Sequence, residues 1–360
     1  MRHMLIRPHE GYQVLDFELE YATTPQEFVW RVTRRLLADD MVRGALVKAK
    51  KLPAVIAGWV KEHFDEVEFQ GAKAKFKAAV GEDWKEAARA MLLEMEKVEP
   101  TVVFLLDEFP GMILNFEKHC GAQTAQDFLS WFRQVRLEHK DKLRRHRFVV
   151  AGSIGIDAVL RKLDVTDKLN DFHRVYVEPP SEPAIRQLMR DLAETMGVAW
   201  NDLLEQELIS LLGVPVPYFV HVFFAQLGQL PAASRQQLTV ADLQRTYRER
   251  LLGPTCREYF QHYSARLKRH SKLVEKSATA MLRAVAGAVG GRISSSALYD
   301  IYRKARGRSA TDLEFDELLG DLEHDWYLVL DPNTNEYSFK LKTMQDWWQR
   351  WYPSTRRGAR

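Results

Sequence analysis

The segment that constrains this chain most is TVVFLLDE, residues 101–108, set between Pro100 and Pro110. Its apolar run is too short for a buried helix and shows no alternation. It therefore reads as a strand buried on both faces, which requires a parallel sheet with covering layers on both sides. The strand ends in Asp107 and Glu108, two adjacent carboxylates delivered to the edge where open α/β sheets bind their ligands.

The flanking sequence agrees with an α/β class. YQVLDFELE, residues 12–20, starts as an alternating strand after Gly11. Thr23, Thr24, Pro25 and Glu27 mark a helix start, and Phe28, Val32, Leu36 and Leu37 share one face of that helix. Residues 44–97 are rich in Ala, Lys and Glu and helical in pattern, punctuated by Gly58, Gly71 and Gly81, with a short strand expected near Val67–Phe69. A helix from about Thr124 to His139 leads to a second buried strand, Arg147–Ala151, closed by Gly152. A third strand-like stretch, His173–Glu178, precedes Pro179 and Pro180. Strands alternating with helices argue for a parallel sheet.

After Pro180 the pattern is helical only: Glu182–Met196, Asp202–Leu212, Tyr218–Leu227 and Ala241–Tyr247. Further on, helices near 272–289, 295–305 and 312–324 precede YLVLDPNTNEYSFK, a hairpin turning at Asp331–Asn335. Three helices and a two-stranded wing are the winged-helix arrangement. The expected organisation is an α/β core over 1–180, an all-helical lid over 181–270, a winged helix over 271–353, and an unstructured tail over 354–360.

With 46% hydrophobic and 28% charged residues, the chain is not intrinsically disordered. A net charge of +3 over 360 residues neither demands nor excludes a nucleic-acid partner. Cys120 and Cys256 match no zinc or redox spacing and read as free thiols in a reducing compartment. No apolar run reaches the length of a membrane span, and MRHMLIRPHEG lacks the core of a signal peptide. A cytoplasmic protein without a membrane partner is expected.

Several segments in this order resemble STAND-type and archaeal-type ATPases of the AAA+ P-loop NTPase superfamily, across nearly the whole chain. They are VVFLLDEFP (102–110), FLSWFRQVR (128–136), RFVVAGSIGI (147–156), KLNDF (168–172), VEPPSEPAIRQLM (177–189), GVPVPYF (213–219) and MQDWWQRWY (344–352). The resemblance implies ATP and Mg²⁺ as cofactors. It makes Asp107 and Glu108 a Walker B pair, with Asp107 holding Mg²⁺ through water and Glu108 orienting and deprotonating the attacking water. The competing reading is an acidic strand end that caps a helix or pairs with arginine. Ser153, after the second buried strand, corresponds to the sensor of the γ-phosphate; a helix N-cap for the segment near Asp157 is an equal alternative. Gly213, Pro215 and Pro217 resemble the lid motif whose helix packs over the nucleotide, and they equally suit an interhelical turn.

Arg133 and Arg136, three apart on one helical face, are candidates to reach a phosphate, in cis or from a neighbouring subunit. A solvated pair facing Asp127 or Glu138 is the favoured alternative. Cradling phosphate needs G-x-x-x-x-G-K-[ST], and no Gly-Lys dipeptide occurs in the sequence. In the family that loop runs into the first helix, and the strand before it lies between the sensor strand and the last strand. Met1–Ile6 corresponds to the later part of that helix, and Tyr12–Glu18 to the second strand. The Walker A loop is therefore expected a few residues before Met1, as an N-terminal truncation, and this chain alone is not expected to hydrolyse ATP.

The expected function is an ATP-dependent molecular switch, with self-association or a protein partner through the ATPase core left open. The alternative is a non-catalytic interaction or DNA-associated protein that keeps the fold remnant. Groove reading by the third helix of the winged helix is disfavoured, because Asp312, Glu314, Asp316, Glu317, Asp321 and Glu323 repel phosphate, while Leu313, Leu318, Leu319 and Leu322 form its buried side. Basic residues at Arg303, Lys304, Arg306 and Arg308, and at Arg266, Lys268, Arg269 and Lys272, leave non-specific backbone contact open. Trp347, Trp348 and Trp351, with Tyr352, are expected to pack in the core.

Overall fold

The computed structural model describes residues 11–47, 74, 76–78, 80–95, 99, 101–138, 146–152, 155–175, 177–269 and 271–352. The strand expected near Val67–Phe69 and the tail over 354–360 lie outside them. The chain divides into two compact units, Met1–Arg174 and Val175–Arg360.

The first unit is built on a parallel sheet in the order β1 (Tyr12–Glu18), β2 (Thr101–Asp107) and β3 (His146–Val150). β2 lies in the middle, as its unbroken apolar sequence requires. Val102, Phe104 and Leu106 face the main core, while Val103 and Leu105 join Val14 and Val149 on the opposite face. The register pairs Glu18 with Asp107 and Leu106 with Val150, so the strand ends align.

The main core is completed by helices. In α1 (Pro25–Leu37) the Thr24 hydroxyl accepts the Glu27 N–H at 3.2 Å, and the Glu27 carboxylate accepts the Thr23 N–H at 2.8 Å. These two bonds fix the helix start that Pro25 announces. Phe28, Val32, Leu36 and Leu37 are buried, as their spacing predicts. α2 (Asp40–Val47) and α3 (Trp84–Met95) follow. α4 (Phe109–Cys120) begins directly beyond β2 and is not anticipated by the sequence pattern. Pro110 looks like a breaker there, yet proline is compatible with a first helical turn. α5 (Ala122–Glu138) starts slightly earlier than expected, after Gly121 at φ 91. Its Phe128 lies 5.1 Å from Phe28 and 5.1 Å from Phe116 in edge-on contacts. α6 (Ile156–Lys162) is the last described α-helix of this unit, and a short 3-10 turn over Thr166–Leu169 follows it.

The strand expected at His173–Glu178 is not formed among its described residues, and Val175 and Val177 are 79% and 81% exposed. A strand gains its stability from a laddered neighbour, so alternation alone does not make one.

The second unit opens with α7 (Glu182–Thr195), α8 (Asp202–Leu212), α9 (Pro217–Gly228), α10 (Ala232–Gln236) and α11 (Val240–Arg245). α9 is apolar on most of its circumference and lies inside, with Phe219, Val220, Phe223, Phe224 and Leu227 buried. Glu205 of α8 is fully buried and joins Arg186 at 2.7 Å and Arg190 at 3.0 Å across to α7. Burial opposes its ionised form, but the two guanidinium hydrogen bonds outweigh it and hold its carboxyl below the usual range.

A Thr239–Asp242 capping box starts α11, which runs on as a π-helical turn over Thr246–Leu251. The Leu252 N–H bonds the Tyr247 carbonyl at 3.0 Å. α12 (Glu258–Arg266) and α13 (Lys272–Gly287) follow, then β4 (Arg292–Ser294), α14 (Ser295–Arg306), α15 (Asp312–His324), β5 (Leu328–Asp331), β6 (Glu336–Phe339) and α16 (Lys342–Trp351). The strands form an antiparallel sheet in the order β4-β6-β5. The hairpin turns where expected, with Asn335 at φ 53, whereas three-residue β4 is too short to show alternation in sequence.

A single core runs from Ile185 to Trp348, so the region expected as a lid packs as one body with the C-terminal helices and sheet. Phe260 stacks on Trp347 at 5.4 Å, and both Trp347 and Trp348 are buried. One expected core residue is corrected: Leu313 is 69% exposed, and Phe315 takes its place beside Leu318, Leu319 and Leu322. Two residues apart on a helix point to nearly opposite sides, so Leu313 cannot share the face of Phe315.

Gly253 ends the π-helical turn, and a Cβ there would lie 1.8 Å from the Glu249 carbonyl oxygen. Gly253→Ala is expected to destabilise the second unit by about 1–3 kcal/mol, through forced backbone displacement. Urea unfolding measures this; an unchanged midpoint would contradict the described turn.

Candidate nucleotide and magnesium site

β2 carries the chain out of the sheet at Asp107, and Glu108 alone turns it into α4. Glu108 has φ 52 and ψ 33, the left-handed region, although it is not glycine. Such a conformation costs an ordinary residue about 1–2 kcal/mol. The neighbouring backbone fixes it. Ala151 donates its N–H to Leu106 O at 3.0 Å, and Phe109 donates its N–H to Ala151 O at 3.0 Å. Met112 then donates to Glu108 O at 3.0 Å and closes the first turn of α4. Non-glycine strain of this kind collects at functional sites, where surrounding structure holds it.

Gly152 makes this approach sterically possible. A Cβ at 152 would lie 2.5 Å from Pro110 Cδ and 3.7 Å from Glu108 Cα. The end of β3 therefore rests against the β2–α4 turn, and only a glycine permits the distance. A Cβ at 111 would lie 3.8 Å from Glu108 Oε2, which places that carboxylate over the first turn of α4. Asp107 Oδ1 accepts the Glu108 N–H at 3.0 Å, which orients the aspartate side chain.

Two half-buried carboxylates thus stand at the C-terminal end of the central strand. Mg²⁺ uses one or two carboxylates and completes its shell with water and phosphate oxygens. Among the described residues no group of three or more His, Cys, Asp or Glu gathers as a metal cage. The donor set at Asp107 and Glu108 fits a hydrated Mg²⁺ rather than a closed structural metal site.

Ser153 lies outside the described residues. Arg133 and Arg136 are brought together over residues 166–172. Arg133 bonds Asp167 Oδ2 at 2.9 Å and also the Asp167 carbonyl. Arg136 grips Asp171 with Nε at 2.9 Å and Nη2 at 2.8 Å, and Nη2 reaches the Lys168 carbonyl at 2.8 Å. Its guanidinium is 4.3 Å from the Phe132 ring centroid and 4.6 Å from that of Phe172. The acidic partners expected for these arginines, Asp127 and Glu138, are corrected to Asp167 and Asp171. Asp127 instead accepts from Gln123 at 2.8 Å. Partners thirty or more residues away are not visible in helical spacing.

Gly213 and Pro215 belong to the second unit. Gly213 has φ 73, and a Cβ on it would lie 2.7 Å from Lys342 Cβ, so it ends α8 in close contact with the start of α16. The sequence missed the steric role of Gly152 and the anchor Asp171. Signals for both were present: a glycine two residues beyond a strand, and an acid between Asn170 and Phe172. The strand itself, expected to be buried, is exposed at Arg147 and half-buried from Phe148 to Val150.

No family model matches the sequence, and no curated protein matches it. Among solved structures, the chain is similar to a Walker-type ATPase of Pyrococcus abyssi, with 14% identity and a TM-score of 0.56, covering 94% of this chain and 84% of that one. It also matches the ORC2 protein of Aeropyrum pernix in ADPNP–ADP complexes, with 14% identity and a TM-score of 0.49, covering 93% and 77%. Only the first is close enough to fix a fold. The chain has the fold of a Walker-type ATPase. No described helix is long and apolar enough to cross a membrane.

Gly152→Ala is expected to lower stability by about 1–3 kcal/mol, because Pro110 cannot move without breaking the first turn of α4. An unchanged midpoint in chemical denaturation of the variant would contradict the close approach of Gly152 to Pro110. A second expectation concerns pH. Hydrogen bonding from Arg136 holds the Asp171 carboxyl below its ordinary 3.8. A depressed folded value means that the stabilisation is complete above the unfolded value and drains as pH falls through the folded one. The stability difference between the protein and Asp171→Asn should stay constant from about pH 7 to 5 and shrink below about pH 4. A difference undiminished at about pH 2 would contradict the pairing.

Proposed function

We propose that this chain is an ATPase-fold molecular switch of the STAND or archaeal type, in which Asp107 and Glu108 form the Walker B pair. The observation that carries this reading is the strained turn at Glu108, held against Ala151 and Gly152 at the open end of the sheet. When bound, Mg²⁺ supplies charge neutralisation at the phosphates. Asp107 would hold it through water, and Glu108 would orient the attacking water and take its proton. Ser153, which follows Gly152 in the sequence, is the proposed γ-phosphate sensor, on the resemblance of RFVVAGSIGI (147–156) to the sensor strand of such ATPases. Arg133 and Arg136 are proposed as phosphate-responsive residues whose present partners, Asp167 and Asp171, tie any such change to segment 166–172. Gly213 and Pro215 are proposed to shape the lid. The C-terminal order of α13, β4, α14, α15, β5 and β6 supports a winged helix.

The phosphate cradle is the missing part, because no Gly-Lys dipeptide occurs in the sequence. We therefore place binding of Mg·ATP by these 360 residues alone outside the micromolar range. Calorimetric titration tests this, and micromolar affinity would overturn it. In a form that does bind Mg·ATP, Glu108→Gln should keep binding and lower turnover by about 10²–10⁴-fold. Undiminished turnover would remove Glu108 from its role.

The missing cradle also favours a second reading, a non-catalytic interaction protein on the same fold. Sequence-specific DNA binding by α15 is disfavoured, since Asp316 and Glu317 are exposed on it. Part of the nearby basic cluster is already spent: Arg306 pairs with Glu314 at 2.5 Å and is nearly buried.

A further inference from the structure

A cleft of about 410 Å³ opens within the second unit, between the π-helical turn and α16. Its floor is apolar, made by Leu211, Leu252 and the ring of Tyr247. Its walls carry three cations, Arg248, Lys342 and Arg350, and one carboxylate, Asp346. The carboxylate is already engaged, because it accepts the Tyr247 hydroxyl at 2.8 Å and pairs with Lys342. Arg350 is steered by a hydrogen bond to the Arg248 carbonyl. Arg248 itself is exposed, and among the described residues its guanidinium has no partner.

The π-helical turn sets this arrangement. An i→i+5 turn is rare and recurs at functional sites. Here it buries Tyr247 while directing Arg248 to the cleft wall, and Gly253 allows the turn to close. Burial and the adjacent Asp346 carboxylate push the Tyr247 phenol up, so its proton stays in the bond to Asp346. After that internal pairing, two arginine charges face a cleft with a hydrophobic floor.

We propose that this cleft binds a small organic oxyanion with an apolar body, and that a phosphate monoester suits it best. A dianion matches the two arginines, which hydrogen-bond phosphate oxygens well, and a ring or chain covers Leu211, Leu252 and Tyr247. The proposal does not rest on the carboxylate pair at 107 and 108, which lies in the other unit.

The test uses the full chain with phenyl phosphate, benzoate and phenol as probes, followed by ligand-observed NMR. Phenyl phosphate should saturate with a dissociation constant near or below about 1 mM, benzoate should bind more weakly, and phenol should not bind measurably. Arg248→Glu should weaken phenyl phosphate at least ~10-fold, since it reverses an unpaired wall charge without disturbing a contact. Lys268→Glu changes net charge equally away from the cleft and should leave binding unaltered. Three results would overturn the proposal: no saturable phenyl phosphate binding by the folded protein, equal weakening by Lys268→Glu, or unaltered affinity in Arg248→Glu.

Discussion

The first unit depends on one backbone turn. Glu108 must adopt a left-handed conformation because β2 ends and α4 begins with only that residue between them. The turn is held because the Phe109 N–H and the Leu106 carbonyl both meet Ala151. That contact in turn requires a residue without a Cβ just beyond β3, which is Gly152. Strain at a carboxylate, a glycine at van der Waals distance, and parallel strands in register are thus parts of one arrangement. It delivers two half-buried carboxylates to the C-terminal edge of the sheet.

Much of this was legible in the sequence because burial on two faces leaves an unmistakable run. TVVFLLDE could hardly be anything except a central strand, and its position between β1 and β3 follows. Thr24, Pro25 and Glu27 likewise announced α1 through local capping chemistry. What stayed hidden depends on distance in the chain. α4 was masked by Pro110, whose tolerance in a first turn is a matter of position rather than identity. The apolar alternation of Val175 and Val177 suggested a strand, but pairing is non-local and cannot be read from one segment. The arginines of α5 met acids more than thirty residues away, not those on their own helix.

Charge in the second unit shows why counting cations and anions along a sequence misjudges a surface. Arg186 and Arg190 are committed to buried Glu205, and Arg306 to Glu314. Tyr299 hydrogen-bonds Asp312, so two acids of the third helix are occupied by its neighbour α14. These pairs join helices around one core and leave less free charge than the sequence suggests. The cations that remain uncommitted are therefore the informative ones, and Arg248 beside the π-helical turn is such a residue.

Asp107 and Glu108 are proposed as the divalent-metal end of a nucleotide site. Paramagnetic broadening by Mn²⁺, read on backbone amide resonances, tests it without needing turnover. Titration into the millimolar range should broaden the amides of Asp107, Glu108 and Gly152 first. Broadening of the exposed acids on α15 at equal or lower Mn²⁺, with residues 107 and 108 spared, would contradict the account.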